Sequence, residues 1–301
     1  MWSMHVLFGR VQSIIKQMNF IIKILKMFFC GLLLIGGLSS CRSLLFYDKA
    51  DEPIFSSNKL ATGNSFSSDF ITVATFNIKK ARKIQLAITE MKQLEEKTQV
   101  DIYLLQEMNE TGVKEIAAAL GLNYLYIPIA YDGADKKNIG NAILARGVIS
   151  DPQKLILPHA KWQNRQRRAA TIGEIYIHQK RMLICNVHTE TIAMGRKKRL
   201  DQVDSVVDYI RREGPQYEYI IAGGDFNTSF PGYSRAVVDR FHQIGLDWST
   251  NDVGSTARAM MGLIRPTNDY LFVKGLTLQN ATAIRTFTSS DHYPVVAKFR
   301  F

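Results

Sequence analysis

Residues 219–227 read YIIAGGDFN. Four consecutive residues without a charge predict a strand covered on both faces, not one alternating between core and solvent. Two glycines close the run, and Asp225 and Asn227 follow, separated by Phe226. Paired glycines permit a close backbone approach that a Cβ would hinder. A carboxylate and a carboxamide are thereby delivered to the rim of a sheet, a common place for functional groups on a rigid scaffold.

The same pattern recurs on either side. Asn77 follows FITVATF (70–76), Gln106-Glu107 follows IYLL (102–105), and His188 follows RMLICNV (181–187). Towards the C-terminus the order reverses: Asn268-Asp269 precedes YLFV (270–273), and Ser290-Asp291-His292 precedes VVAKF (295–299). The exit of one strand and the entry of an antiparallel neighbour share an edge. Asn77, Glu107, His188, Asp225, Asn227, Asp269, Asp291 and His292 can therefore collect on one rim. NAILA (141–145) reads as a further strand. Ile84, Ile88, Met91 and Leu94 recur at helical spacing, as do Leu200, Val203, Val207 and Ile210 before the stop signal Gly214-Pro215. The alternation predicts a mixed α/β fold.

The rim is rich in oxygen donors and carries two imidazoles. Carboxylates are hard ligands suited to Mg²⁺, Mn²⁺ or Ca²⁺, and a hydrated Mg²⁺ needs only one or two of them. Histidines near neutral pKa move protons or, when charged, stabilise an anion. Together these are parts for metal-assisted phosphate-ester hydrolysis. Taken singly each is weak: an Asn after a strand is usually a turn residue, and a lone His is usually structural. Their coincidence at six strand ends is what carries weight. His5, His159, His178 and His242 lack such a context and read as surface or packing residues.

Composition sets bounds around this reading. The 301 residues, 46% hydrophobic and 22% charged, suit a globular chain and exclude a disordered or multi-span one. Three cysteines exclude a disulfide scaffold and a four-thiolate zinc site. The net charge of +11 hints at an anionic partner. Part of it belongs to residues 1–40, which hold Arg10, Lys16, Lys23 and Lys26 and no acid. There, MFFCGLLLIGGL (27–38) is shorter than the roughly 20 residues a spanning helix needs. Behind Lys23 and Lys26 it has the form of a signal peptide, with Met18 as a plausible true start.

The run ends in Leu38-Ser39-Ser40-Cys41 and resembles the bacterial lipoprotein lipobox. That resemblance implies lipidation at Cys41, export, and anchoring in the cell envelope, on the outer membrane in a Gram-negative cell. A short buried helix or an uncleaved anchor is the plainer alternative. Cys30 would leave with the leader, and Cys185 would remain as a core thiol. Residues 41–69, broken by serines, Pro53 and Gly63, read as the lipidated cysteine and a flexible tether reaching about 30 Å. The folded unit is expected over 70–301, without an obligate protein partner and as a monomer.

In order, TFNI, LLQE, NVHTE, GGDFN, NDYLFV and SDHYPV resemble the endonuclease/exonuclease/phosphatase superfamily, the DNase I-like fold. The resemblance covers about 70–301. It implies a four-layer α/β sandwich, two packed mixed β-sheets flanked by helices, and divalent-metal hydrolysis of a phosphate ester. By the same resemblance Glu107 is the main metal ligand, with Asn77 and Asp291 assisting. Asp225 would orient or deprotonate the attacking water, and Asn227 would hold a phosphate oxygen. His292, oriented by Asp269, would bind the scissile phosphate and stabilise its charge. His188 would contact the phosphate or protonate the leaving group. Asn141, in GNAILAR, is expected on the phosphate side or in a structural role.

The superfamily includes DNases, abasic-site endonucleases, sphingomyelinases, inositol polyphosphate phosphatases and RNA deadenylases, so the fold does not choose a substrate. KWQNRQRR (161–168) and GRKKR (195–199) each hold four cations. Their positions suit a phosphate backbone, with Arg168 as a contact to the substrate phosphate, and favour DNA or RNA. A solvated charged face, or attraction to anionic lipid, explains the clusters equally well. The alternatives are a phospholipid or sphingomyelin phosphodiesterase, or an inactive binding module that keeps the fold.

Overall fold

Apolar runs become doubly buried strands here because each face of a strand meets a different layer. In β3 (Phe70–Asn77), Ile71 and Val73 enter one core while Ala74 and Phe76 enter another. In β4 (Ile102–Met108), Ile102 and Leu104 share the first core, and Tyr103 and Leu105 share the second. The computed structural model describes residues 44–61, 68–133, 135–160, 165, 167–229 and 231–301. The leader, Cys41 and most of the 161–168 cluster, Trp162 included, lie outside the described residues.

Strands, numbered along the chain, form two sheets. The first runs β1 (Leu44–Phe46), β5 (Asn123–Asp132), β6 (Lys137–Ala145), β4, β3, β14 (Val295–Arg300) and β13 (Thr277–Ala283), with β2 (Phe55–Ser57) also on β5. The second runs β11 (Asp247–Trp248), β12 (Asp269–Lys274), β10 (Tyr219–Asp225), β9 (Lys180–His188), β8 (Ala169–Ile177) and β7 (Val148–Ile156). Between them lies a core containing Ile71, Leu104, Ile143, Ile184, Ile221 and Phe299. Helices α1 (Ile84–Lys97) and α2 (Glu110–Leu120) cover the outer face of the first sheet through Ile88, Met91 and Ile116. Helices α3 (Arg196–Glu213) and α4 (Pro231–His242) cover the second through Val203, Val207 and Phe241. This is the expected four-layer sandwich.

The expected flexible tether is corrected by the structure over 44–61. Leu44–Phe46 pairs antiparallel with Asp132–Ala130, and Phe55–Ser57 with Tyr126–Tyr124. Phe55 stacks on Tyr126 at 6.0 Å. Lys154, 4% exposed, gives its ammonium to the backbone carbonyls of Lys49, at 2.7 Å, and Glu52. Backbone pairing needs no apolar periodicity, so a serine-rich segment can still complete a sheet edge. The compact unit accordingly spans Leu44–Phe301.

Candidate active site

Strand directions assemble the rim. β3 and β4 run parallel with Asn77 beside Gln106, and β9 and β10 run parallel with His188 beside Asp225. β12 enters antiparallel with Asp269 opposite Asp225, and β14 enters antiparallel to β3. The glycine pair allows this closeness. A Cβ on Gly224, which has φ +138°, would lie 1.9 Å from the Val187 carbonyl oxygen; one on Gly223 would lie 2.5 Å from Leu271. Asn77, Glu107, His188, Asp225, Asn227, Asp291 and His292 line one cavity of about 250 Å³, with Lys79, Lys80, Arg82 and Thr191. Asp269 sits behind His292, fully buried.

Glu107 reaches the cavity through an irregularity. Opposite β6 the register of β4 shifts between Leu105 and Met108, and Glu107 adopts φ 56°. Such a bulge re-aims a side chain relative to the ladder. Beneath it, the Gln106 amide donates to Asn186 at 2.8 Å, and Asn186 donates to the carbonyls of Leu105 and Ala142. This polar bridge ties the two sheets together under the site.

Asp225 is the hub. Its Oδ1 accepts the Asn227 backbone N–H at 2.9 Å, and its Oδ2 accepts the Asn77 amide at 3.0 Å. The same Oδ2 faces His188 Nε2 at 3.6 Å and His292 Nε2 at 3.8 Å. Burial, reinforced by the Asp269 charge, raises the Asp225 pKa to about 6 against the pull of His292 and the two donors. Such a carboxylate is a suitable proton acceptor near neutral pH.

The two imidazoles are in opposite states. Burial works against charge on His292, yet Asp269 and Asp225 outweigh it and hold its pKa up at about 10. Its Nδ1 donates to Asp269 at 2.9 Å, and Thr256 donates to that same carboxylate at 2.6 Å. Burial also disfavours charge on His188, and there Arg168 and His292 add to it, pushing its pKa well below the usual value. Arg168 approaches His188 Nδ1 at 3.3 Å and can only donate, so that nitrogen is the acceptor and the proton sits on Nε2. Arg168 is held in turn by buried Glu190 at 3.1 Å.

A divalent cation has two candidate locations. Asp225, Asp269 and His292 offer ligand atoms within 4.8 Å of one another. A protonated His292 already bound to Asp269 cannot ligate, so we favour the oxygen set of Glu107, Asn77 and Asp291. Glu107 lines the cavity with no carboxylate partner among the described residues, which fits a cation-binding group. Asp291 is held ionised below its usual range: burial opposes this, but Lys79 at 2.7 Å and His292 prevail.

Two expected phosphate contacts lie elsewhere. Arg168 is not in the cavity lining; its guanidinium is buried between His188 and Glu190, because the β8–β9 pairing turns it inward. Asn141 donates to the Ala169 carbonyl at 2.9 Å and joins the sheets, which is the structural alternative. The 195–199 cluster also divides. Arg199 is buried, stacked over Tyr233 at 4.1 Å and donating to the Asn227 carbonyl at 2.7 Å, while Arg196, Lys197 and Lys198 are exposed. Sequence reasoning missed Thr256 and Glu190, although Glu190 stands two places after His188 in NVHTE.

The site can be set beside known proteins. Residues 74–292 match the model of the endonuclease/exonuclease/phosphatase family. No curated protein sequence matches the chain. A family protein from Bacteroides vulgatus superposes with TM-score 0.63 at 15% identity, covering 78% of this chain and 100% of that one. Humanized D. rerio TDP2 gives TM-score 0.60 at 13% identity, with 78% and 100% covered. The Bacteroides thetaiotaomicron mannosyl-6-phosphatase gives 0.58 at 20% identity, with 77% and 100% covered. At these identities the superpositions establish the shared fold. With most of its length matched to the family model, the chain belongs to the endonuclease/exonuclease/phosphatase family.

Proposed function

We propose that this member of a family of phosphate-ester hydrolases is a divalent-metal-dependent phosphodiesterase using in-line attack by water. The observation that carries the reading is one Asp225 oxygen faced by a neutral and a charged imidazole. Glu107, Asn77 and Asp291 would hold Mg²⁺, or Mn²⁺ or Ca²⁺, supplying Lewis acidity towards the phosphoryl group. Asp225, oriented by Asn77 and the Asn227 N–H, takes the water's proton as the water oxygen bonds to phosphorus. The ester P–O bond opposite breaks, and the leaving oxygen takes a proton from solvent. His292 balances the developing negative charge, and Asp269 fixes its ring. Neutral His188 donates Nε2–H to a phosphoryl oxygen, while the Asn227 amide donates to the Thr189 carbonyl at 3.0 Å and holds that loop.

A nucleic-acid strand suits the cations at the mouth: Arg82 on the lining and exposed Arg196 and Lys198 nearby. A phospholipid headgroup ester is the second reading, favoured by an exposed apolar turn beside His292. The test is an assay of the purified chain with Mg²⁺ or Mn²⁺ against plasmid DNA, RNA, sphingomyelin and phosphoinositides. Hydrolysis of one class, abolished by Asp225→Ala, is expected; no hydrolysis of any across metals overturns the reading. We further propose that Cys41 is lipidated and holds the enzyme on the envelope; Cys41→Ser should then lose fatty-acid labelling.

A further inference from the structure

The turn beside His292 has an unusual surface. Residues 258–265 read RAMMGLIR, apolar between two arginines and without an acid. Ala259 pairs with Ile264 across a 3-10 turn at Met260–Gly262, making a tight projection. Leu263 is 81% exposed, Met260 66% and Ile264 46%. Three large aliphatic side chains in five residues exceed the scattered exposure normal for a surface.

The base of the turn is fixed to the catalytic rim. The Arg258 N–H donates to the Asp291 carbonyl at 2.7 Å, and its guanidinium donates to the Ser290 carbonyl at 2.6 Å. Ala257 forms a bridge with His292. The other wall of the cavity repeats the chemistry. Thr191 lines it, Ile192 beside Thr191 is 54% exposed, and exposed Arg196, Lys197 and Lys198 open α3 without an acid in its first turn. Aliphatic groups with adjacent cations therefore flank the cavity, next to His292 on one side and next to Thr191 on the other.

We propose that this catalytic face docks on an anionic lipid bilayer, with Met260, Leu263 and Ile264 entering the interface and Arg265 and the α3 cations meeting the headgroups. Aliphatic groups below the headgroup level and cations at it are the pattern of interfacial binding, and long basic side chains accommodate both levels. No described helix is long and apolar enough to cross a membrane. The proposal deepens the phospholipid reading and rests on it for the substrate: the ester would be presented to Asp225 and His292 from the lipid surface. The contact itself requires no lipid on Cys41.

The test uses the full chain carrying Cys30→Ser and Cys41→Ser, with bimane attached at Leu263→Cys; Cys185 is buried and unreactive. Thr277→Cys, at the opposite end of the sandwich, is the control. With vesicles of phosphatidylglycerol and phosphatidylcholine, the emission at 263 should shift to the blue, and that at 277 should not. The shift should disappear on phosphatidylcholine alone or in high salt. Met260→Ser with Ile264→Ser should weaken vesicle partitioning at least about tenfold. An unshifted emission at 263 on sedimented vesicles, an equal shift at 277, or a shift induced by single-stranded DNA instead would overturn the proposal. Since the readout needs no turnover, its failure is distinguishable from failure of the proposed hydrolysis.

Discussion

His188 and His292 approach the same Asp225 oxygen from two walls of one cavity, at 3.6 and 3.8 Å, His188 buried and His292 nearly so. Burial alone would make both neutral. On the β12–β14 wall, Asp269 stands behind the ring and the imidazole is charged. On the β8–β9 wall, Arg168 stands behind the ring and the imidazole is neutral with its proton on Nε2. Burial is the larger cause at His188 and Arg168 adds to it, whereas at His292 the Asp269 carboxylate overrides burial. Two chemically identical side chains thereby take different roles, one stabilising charge and the other donating a neutral hydrogen bond.

Removing the group common to both walls should have the largest effect. Asp225→Asn is expected to lower kcat by about 10³–10⁴-fold with any metal, as expected for loss of a proton acceptor together with the charge facing both rings. Activity retained within tenfold in a steady-state assay would mean that neither ring works through Asp225.

Asp269→Asn attacks one wall alone. It removes the foremost support for the His292 charge, and kcat should fall roughly 10²–10³-fold. The pH profile sharpens the point. Asp225, raised to about 6, must be ionised, so activity should rise as pH increases through that value. His292, raised to about 10, must be protonated, so activity should fall as pH passes that value. In Asp269→Asn the alkaline limb should move down while the acid limb stays above the ordinary carboxylate range. An unmoved alkaline limb would detach it from His292.

The Arg168 wall should respond more mildly in catalysis and strongly in stability. Arg168→Met strands buried Glu190 and should cost about 3–5 kcal/mol by denaturant unfolding. Arg168→Met with Glu190→Gln should recover most of that loss while lowering kcat roughly tenfold, since nothing then fixes the His188 tautomer. Nitrogen NMR should show the His188 proton divided between Nδ1 and Nε2; a ring still protonated only at Nε2 would remove Arg168 from this role. The smallest effect is expected outside both walls. Lys198→Gln should raise KM about two- to threefold at low salt and leave kcat unchanged.

The two walls also differ in how far they can be read from the chain. The partners of His292 are visible as strand-end residues, Asp269 in NDYLFV and the ring itself in SDHYPV. Arg168 is visible only as one cation in a basic cluster, and charge counting assigns it to the substrate. Its burial depends on the β8–β9 pairing, which sets Ala170 opposite Val187 and brings positions 168, 188 and 190 together. Thr256 lies in an irregular stretch where no periodicity announces a contact. β13 was hidden because TLQNATA is an exposed edge strand, and β1 and β2 because their pairing is carried by backbone atoms.

The sequence by itself determined the layers and the list of reacting groups. Doubly apolar runs demand cover on both faces, and polar residues at their ends have nowhere to lie but a rim. YIIAGGDFN already states that a backbone must pass close to its neighbour there, and Gly224 against Val187 is that contact. Only the tertiary structure decided which group stands behind each imidazole, which cations are sequestered, and where the aliphatic turn projects. Protonation state depends on charges within a few ångströms in a low-dielectric site. Those distances are made by strand pairing between residues far apart along the chain, and composition and spacing carry no record of them.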